Sequence, residues 1–210
     1  MKALITMKEH IDQHNQKTSL IENKYFDFFE SMDIQLILLP NVLTKTDQFD
    51  IFLHDIDFII LSGGGDPSEN ATNRKFNELY LIDYAKTNNI PIVGICRGMQ
   101  VFVNYTYKIP NQIIDKKSFP ESIPGNRHNI VYENKIYEVN HYHELAIFNY
   151  ESDFGKSTLG FDIKTKNLEI IFDPSSNFLG FQWHPERELL SSPAGNLAKD
   201  LITKFVTRGD

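Results

Sequence analysis

The chain has 210 residues, 41% of them hydrophobic and 23% charged, with a formal net charge of −7. This composition is typical of a folded globular protein, and the acidic balance argues against a nucleic-acid polymer as partner. The single cysteine, Cys96, excludes an intrachain disulfide and any metal site built on several cysteines. Without a membrane-length apolar run or a signal-peptide core, the sequence predicts one cytoplasmic domain over residues 1–210, with no membrane contact.

Short apolar runs alternate with amphipathic stretches in the first half of the chain, a pattern typical of a parallel sheet covered by helices. Strands are predicted there at 3–7, 35–39, 57–61 and 91–95, and helices at 21–32, 73–86 and 98–107. The second half predicts two hairpins, with strands at 129–132, 135–139, 169–172 and 178–183, and a last helix at 196–206. The predicted fold class is α/β: an open, mostly parallel sheet flanked by helices, with a late antiparallel addition.

The most informative segment surrounds Cys96, where the strand predicted at 91–95 meets the next helix. Gly94 and Gly98 flank the cysteine two residues away on either side, as in a nucleophile elbow. The adjacent helix start favours a reactive thiolate, and the N–H of Arg97 is suited to bind an oxyanion. A lone cysteine is otherwise more often a small buried hydrophobe, but the glycine spacing here favours a nucleophile.

Two further segments complete the predicted chemistry. The glycine run at 63–65 follows a predicted strand and offers backbone N–H groups to an oxyanion, although such a run is also typical of a flexible turn. His184 and Glu186 are two residues apart, and extended chain places such a pair on one side. Pro185 biases His184 toward this extended geometry. Alone, His-Pro-Glu is more typical of a surface turn; with the elbow it predicts a Cys-His-Glu catalytic triad.

These segments together resemble the class I glutamine amidotransferase superfamily, whose fold is flavodoxin-like. The resemblance rests on residues 94–100, 183–186, 61–66 and 139–143, and on Arg74 and Glu78 at the start of the helix predicted at 73–86. The Cys96-Arg97-Gly98 sequence is typical of the free-standing γ-glutamyl hydrolase branch. As a whole, the sequence most resembles the γ-glutamyl-CDP-amidate hydrolases of capsule phosphoramidate biosynthesis.

The resemblance implies hydrolysis of a γ-glutamyl amide through a thioester on Cys96, without a cofactor, a metal or an obligatory protein partner. The small-molecule substrate would be a γ-glutamyl conjugate. The resemblance favours γ-glutamyl-CDP-amidate, which would give glutamate and cytidine diphosphoramidate. The implied oxyanion donors are the N–H groups of Gly64 and Arg97. The residues expected at the substrate are Gly65, Gln100, Arg127, Asn140, His141, Tyr142 and His143.

Several alternatives remain open at this stage. Arg127 is a candidate contact for an anionic leaving group, but a solvated turn fits it equally well. His141 replaces the serine usual in the family, and with His143 it has the spacing of a metal-ligand pair; no third ligand is placed, so no metal is predicted. The alternative functions are a glutaminase subunit that supplies ammonia to a synthetase, a γ-glutamyl-γ-aminobutyrate-type hydrolase and, last, a non-catalytic binding module.

Overall fold

The computed structural model describes residues 1–42, 45–65, 72–114, 123–148, 154 and 157–207. Within these ranges the strands are β1 Lys2–Thr6, β2 Lys8–Ile11, β3 Lys17–Leu20, β4 Gln35–Leu39, β5 Phe58–Leu61, β6 Ile92–Ile95, β7 Gln112–Ile113, β8 Arg127–Tyr132, β9 Lys135–Asn140, β10 Leu145–Ala146, β11 Thr158–Asp162, β12 Leu168–Asp173 and β13 Phe178–Phe181. The helices are α1 Asn23–Glu30, α2 Asp50–Leu53, α3 Asn73–Asn88, α4 Arg97–Tyr107 and α5 Pro193–Val206, with 3-10 turns at Thr46–Phe49 and Pro185–Arg187. None of the described helices is both long and apolar enough to cross a membrane.

Nine strands form one sheet, in the order β4-β1-β5-β6-β13-β12-β11-β8-β9. The first five in this order are parallel to their neighbours. The last four are added antiparallel. The predicted α/β class, with its late antiparallel addition, is confirmed.

Two apolar clusters cover the two faces of the sheet. In β5, Phe58 and Ile60 belong to one cluster and Ile59 and Leu61 to the other, as the two-residue period of a strand requires. Helices α1 and α5 contribute buried side chains to the first cluster, and α2, α3 and α4 to the second. Burial on both faces explains why the central strands are continuous apolar runs in the sequence.

The structure differs from the sequence prediction at several elements, among them the short strands β7 and β10 and helix α2, which were not predicted. The hairpin of β2 and β3 was not predicted, because its largely exposed residues show no apolar alternation. Strand β11 was also missed, although it pairs with both β12 and β8. The last helix begins at Pro193, three residues before the predicted start, because Ser192 Oγ accepts a hydrogen bond from the Gly195 N–H and caps it.

The sheet order brings three chain segments to one edge. Strands β5, β6 and β13 are neighbours and parallel, with Leu61 paired to Gly94 and Ile95 paired to Phe181. Their carboxyl ends therefore lie side by side. The glycine run, Cys96 and His184 follow these three ends, at the edge where ligands bind in open α/β sheets.

Candidate active site

Cys96 occupies a strained turn between β6 and α4. Its backbone has φ 50° and ψ −106°, a conformation that non-glycine residues rarely adopt. A β-carbon on Gly98 would lie 1.9 Å from the Leu61 carbonyl oxygen, and one on Gly94 would lie 2.8 Å from the Met99 nitrogen. The two glycines are thus required by the close approach of backbone on both sides. The geometry resembles that of a nucleophile elbow, with Cys96 immediately before the start of α4.

His184 and Glu186 form a close, buried pair. His184 Nδ1 lies 2.6 Å from Glu186 Oε1, and both side chains are almost fully enclosed. Burial opposes protonation of the ring, but the Glu186 carboxylate and Cys96 outweigh it and raise the pKa of His184 to about 10. His184 itself has extended backbone, but a 3-10 turn at Pro185–Arg187 brings Glu186 back to it, so a turn rather than continuous strand joins the pair.

Asn140 positions His184 rather than facing the cavity. Its Oδ1 accepts a hydrogen bond from the His184 N–H at 3.0 Å, and its Nδ2 donates to the His184 carbonyl at 2.8 Å. Glu188 Oε1 in turn accepts from the Asn140 N–H at 2.8 Å and from its Nδ2 at 2.7 Å. Direct substrate contact by Asn140 does not fit this position, and the supporting role of Glu188 was not predicted.

The glycine run packs against His184 and lines the same cavity as Cys96. Gly64 and Gly65 have φ values of 81° and 83°, which side-chain-bearing residues rarely adopt. A β-carbon on Gly63 would lie 2.6 Å from His184 Cε1. The run is therefore fitted closely to the site, which argues against a merely flexible turn. Asp66, the last residue of the motif, lies outside the described residues.

Arg74 holds the glycine run from behind. Its guanidinium donates to the carbonyl oxygens of Ser62, Gly63 and Gly64 at 2.7, 3.0 and 2.6 Å. Glu78 is fully buried and binds Arg74 at 2.8 Å and also Arg97. Burial lowers the pKa of Arg74, although the Glu78 carboxylate beside it acts to raise it. The three carbonyls bound to Arg74 fix the loop whose Gly64 and Gly65 line the same cavity as Cys96.

A cavity of about 500 Å³ opens above the cysteine. The predicted site residues that line it are Gly64, Gly65, Cys96, Arg97, Gln100, Tyr142, His143 and His184. Gln100 Nε2 donates to the Leu145 carbonyl at 2.7 Å and to Gln182 Oε1 at 3.2 Å, and Gln182 Nε2 lies 3.9 Å from Cys96 Sγ. No pattern in the sequence points to Gln182, because its role depends on the pairing of β13 with β6.

Charged side chains line the cavity together with the predicted site residues. Lys8 and Arg187 both line it, and Arg187 lies 4.4 Å from the Tyr142 ring while pairing with Glu22 at 2.5 Å. Arg127 lies outside this lining. It binds Glu138 at 2.9 Å and Glu188 at 3.0 Å, so direct contact with a leaving group in the cavity does not fit its position.

His141 also lies outside the cavity lining and is buried against two other histidines. Its ring centroid is 4.1 Å from that of His143 and 5.1 Å from that of His128. Burial and the neighbouring His143 and His128 lower the pKa of His141 to about 3. Direct substrate contact by His141 does not fit this position. The sequence placed no third candidate ligand beside His141 and His143, and this expectation was wrong, because the pairing of β8 with β9 brings His128 next to them.

Comparison with known proteins agrees with the fold. The family described as glutamine amidotransferase class-I matches residues 11–203. A gamma-glutamyl-CDP-amidate hydrolase of Campylobacter jejuni is 25% identical over 182 residues, 84% of this chain and 85% of the relative. An imidazole glycerol phosphate synthase subunit of Campylobacter jejuni is 28% identical, over 73% of this chain and 80% of the relative. The crystal structure of a glutamine amidotransferase from Thermotoga maritima has a TM-score of 0.61 at 14% identity, covering 97% of this chain and 81% of that one. The chain belongs to the class-I glutamine amidotransferase family.

Proposed function

We propose that this chain hydrolyses the γ-glutamyl amide bond of a small γ-glutamyl conjugate, with Cys96, His184 and Glu186 as its catalytic triad. One observation carries the proposal. The strained elbow places Cys96 in the same cavity as His184, and Glu186 holds the other side of the His184 ring at 2.6 Å. Covalent acyl transfer needs a nucleophile, a base beside it and a third group that orients the base. Cys96, His184 and Glu186 are proposed to fill these three roles.

The raised pKa of His184 keeps its ring protonated at neutral pH. In the proposed mechanism this imidazolium accompanies the thiolate form of Cys96, which is the reactive nucleophile. The thiolate attacks the γ-carbonyl carbon, and the N–H groups of Gly64 and Arg97 bind the oxyanion. His184 then gives its proton to the leaving nitrogen as the C–N bond breaks, which leaves a γ-glutamyl thioester on Cys96. Water passes a proton to His184 and attacks the thioester, so that glutamate leaves and the thiolate–imidazolium pair returns.

Within the cavity, Gly65, Gln100, Tyr142 and His143 are proposed to hold the γ-glutamyl group. Lys8 and Arg187 at the same cavity are suited to an anionic leaving group, because cationic side chains bind phosphate oxygens strongly. The relative named as a gamma-glutamyl-CDP-amidate hydrolase supports a nucleotide amidate as the substrate. The proposed products are glutamate and cytidine diphosphoramidate.

A glutaminase subunit that supplies ammonia to a synthetase is the second candidate. It is favoured by the relative named as an imidazole glycerol phosphate synthase subunit, which is 28% identical to this chain. This candidate requires free glutamine as the substrate and a protein partner. Hydrolysis of a nucleotide amidate requires no glutamine and no protein partner. The same is true of hydrolysis of γ-glutamyl-γ-aminobutyrate.

The decisive experiment measures glutamate release from γ-glutamyl-CDP-amidate, γ-glutamyl-γ-aminobutyrate and glutamine, with Cys96→Ala as the blank. A kcat/KM at least about tenfold higher for the nucleotide amidate than for the other two supports the first candidate. Glutamine as the best substrate would favour the synthetase subunit. Activity unchanged in Cys96→Ala would overturn the proposed mechanism for every substrate.

A further inference from the structure

A second cluster of reactive side chains lies buried behind the cavity wall. His128 on β8, His141 and His143 just after β9, and Glu169 on β12 converge there, and all four side chains are almost fully enclosed. One ligand atom from each of the three histidines lies within 4.8 Å of the others. The proposed hydrolysis makes no use of three of these residues, and His143 alone reaches the cavity lining.

The cluster contains buried polar atoms that nothing in the described part of the chain satisfies. Nε2 of all three histidines and Oε2 of Glu169 lack a hydrogen-bond partner. His143 Nδ1 lies 3.1 Å from the Leu145 carbonyl oxygen, which can only accept, so Nδ1 is the donor there and Nε2 is the ring nitrogen left for another partner. His143 Nε2 lies 3.5 Å from Glu169 Oε1. Glu169 Oε1 also lies 3.4 Å from His128 Nε2, so one buried carboxylate oxygen stands between two imidazole nitrogens, an arrangement suited to a shared cation.

We propose that His128, His141, His143 and Glu169 bind one Zn²⁺ ion. Three imidazoles and a carboxylate are a donor set that zinc prefers, and bonds of 2.0–2.2 Å would separate tetrahedral donors by about 3.4 Å. Glu169 Oε1 lies 3.4 Å from His128 Nε2 and 3.5 Å from His143 Nε2, which already matches that spacing. His141 joins the set through the histidines, since one of its ring nitrogens lies within 4.8 Å of a ring nitrogen of His128 and of His143. Asn167 Nδ2 donates to Glu169 Oε1 at 2.6 Å and holds the carboxylate in place from outside the set.

The site has the character of a structural rather than a catalytic metal centre. Four protein ligands fill a tetrahedron and leave no position for substrate. The ligands join β8 and β12 to the segment after β9, whose residues Tyr142, His143, Glu144 and Leu145 line the cavity. The ion would fix this wall of the cavity without touching Cys96. Loss of the metal is therefore expected to lower stability and substrate affinity more than the rate of thioester chemistry.

The rival explanation for the cluster is a proton shared between the histidines and Glu169, with Asp162 at 3.6 Å from His128 Nε2 as a second carboxylate. That network binds no metal and does not respond to a chelator. The test therefore begins with metal content, which needs no variant and does not depend on the enzyme's activity.

The tag-free protein carrying Cys96→Ala, which removes the only thiol, is analysed for metal by plasma mass spectrometry and then stripped with a chelator. We expect about one zinc per chain, a fall in melting temperature on stripping, and recovery when Zn²⁺ alone is added back. Co²⁺ in place of Zn²⁺ should give the visible bands of a four-coordinate ion. Substoichiometric zinc (about a tenth per chain or less) together with a melting temperature that ignores both chelator and Zn²⁺ would overturn the proposal.

Variants then locate the ion. His141→Ala and Glu169→Gln should each weaken Zn²⁺ binding at least about tenfold, as measured by calorimetry on protein whose fold is checked by circular dichroism. The matched control is the double variant His10→Ala and His14→Ala, which removes two exposed histidines of the first hairpin region and should leave binding unchanged. Binding that is lost in this control and kept in His141→Ala would place the ion on the surface and overturn the proposal. If the ligand variants fail to fold, the metal content and Co²⁺ spectrum of the parent chain decide the question.

Discussion

Asn140 clamps the backbone of His184 from both sides, accepting from its N–H at 3.0 Å and donating to its carbonyl at 2.8 Å. The side-chain amide thus repeats the hydrogen-bond pattern of a neighbouring strand at the point where β13 has ended. The ring of His184 is fixed by Glu186 and its main chain by Asn140. The proposed base is therefore held by two residues that lie 46 positions apart in the sequence.

Asn140→Ala removes both hydrogen bonds to His184 and leaves two buried backbone groups unpaired. We expect the free energy of unfolding to fall by about 2–4 kcal/mol, since each unpaired group costs about 1–3 kcal/mol and part of the loss is relieved by relaxation. Because His184 then moves relative to Cys96, kcat should fall more than KM rises. Urea denaturation and steady-state kinetics measure the two effects.

Asn196→Ala is the control for this change. Its side chain is exposed and makes one long hydrogen bond, to the Ser191 carbonyl at 3.4 Å. Neither stability nor kcat should change appreciably. If Asn140→Ala behaves like Asn196→Ala, then Asn140 does not position His184.

Glu186→Gln keeps the shape of the side chain but removes the charge that raises the pKa of His184. The pKa of the ring should fall from about 10 toward its ordinary value, and kcat should fall by about 10²–10⁴, as when the carboxylate of a comparable triad is lost. Carbon-13 NMR of the His184 ring follows the titration directly. A ring that still titrates near pH 10 in the variant would show that Glu186 is not the cause of the shift.

The same shift makes the stability of the protein depend on pH. Because the folded-state pKa of His184 is raised, its stabilising contribution is complete below the unfolded pKa near 6.5 and is lost as the pH rises through about 10. The stability difference between the unchanged protein and Glu186→Gln should therefore shrink between these two pH values. Denaturation curves across this range measure the difference, and a constant or growing gap contradicts the assignment.

The elbow could be predicted from sequence because its cause is local. Gly94 and Gly98 are needed wherever two backbones approach a strand–helix turn this closely, and that requirement is visible in the spacing alone. The His184–Glu186 pair was predicted for a similar reason, although a 3-10 turn, not extended chain, brings Glu186 back. The roles of Asn140 and Glu188 could not be predicted, because they arise from contacts across the sheet.

The histidine cluster shows the same limit more clearly. His141 and His143 are two residues apart, but His128 reaches them only because β8 pairs with β9, and Glu169 only because β11 and β12 complete the sheet order. Strand β11 has no recognisable strand pattern in the sequence. Without that strand the fourth proposed ligand, Glu169, has no predicted place beside the histidines. The short, exposed β2 and β3 were missed for a simpler reason, since burial imposes no alternation on them.

Arg74→Met should have two effects: it should lower the stability of the protein, and it should lower activity because the glycine run is no longer held in place. Three loop carbonyls lose their donor, and breaking a buried ion pair costs about 3–5 kcal/mol. Arg74→Lys keeps the charge opposite Glu78 but not the planar fork, so it should recover most of the stability and little of the activity. Melting temperature and the rate of thioester formation separate the two effects. Equal recovery of both by lysine would mean that Arg74 acts only as a buried charge.

Gly98→Ala should prevent the elbow from forming. The new β-carbon would lie 1.9 Å from the Leu61 carbonyl oxygen, which is backbone of the central strand and cannot move aside. Gly125→Ala is the matched control, because its β-carbon meets nothing within 4 Å and only its φ of 97° is unfavourable, at a cost of about 1–3 kcal/mol. Gly98→Ala should therefore yield little folded protein, and Gly125→Ala a moderately less stable one. Similar melting temperatures for the two would contradict the close-approach argument.

Variants of Lys8 and Arg127 test whether an anionic leaving group is bound inside the cavity, at Lys8, or outside it, at Arg127. Lys8 lines the cavity beside Gly64, whereas Arg127 is held outside it by Glu138 and Glu188. Lys8→Ala should raise KM for γ-glutamyl-CDP-amidate by about tenfold, the value of a charge-assisted hydrogen bond, and leave KM for glutamine almost unchanged. Arg127→Ala should change KM for both substrates by the same factor, because Arg127 acts on the site only through Glu188 and Asn140. If Arg127→Ala instead raises KM for γ-glutamyl-CDP-amidate but not for glutamine, the nucleotide extends out of the cavity toward β8. The proposed contact between Lys8 and the leaving group would then be wrong.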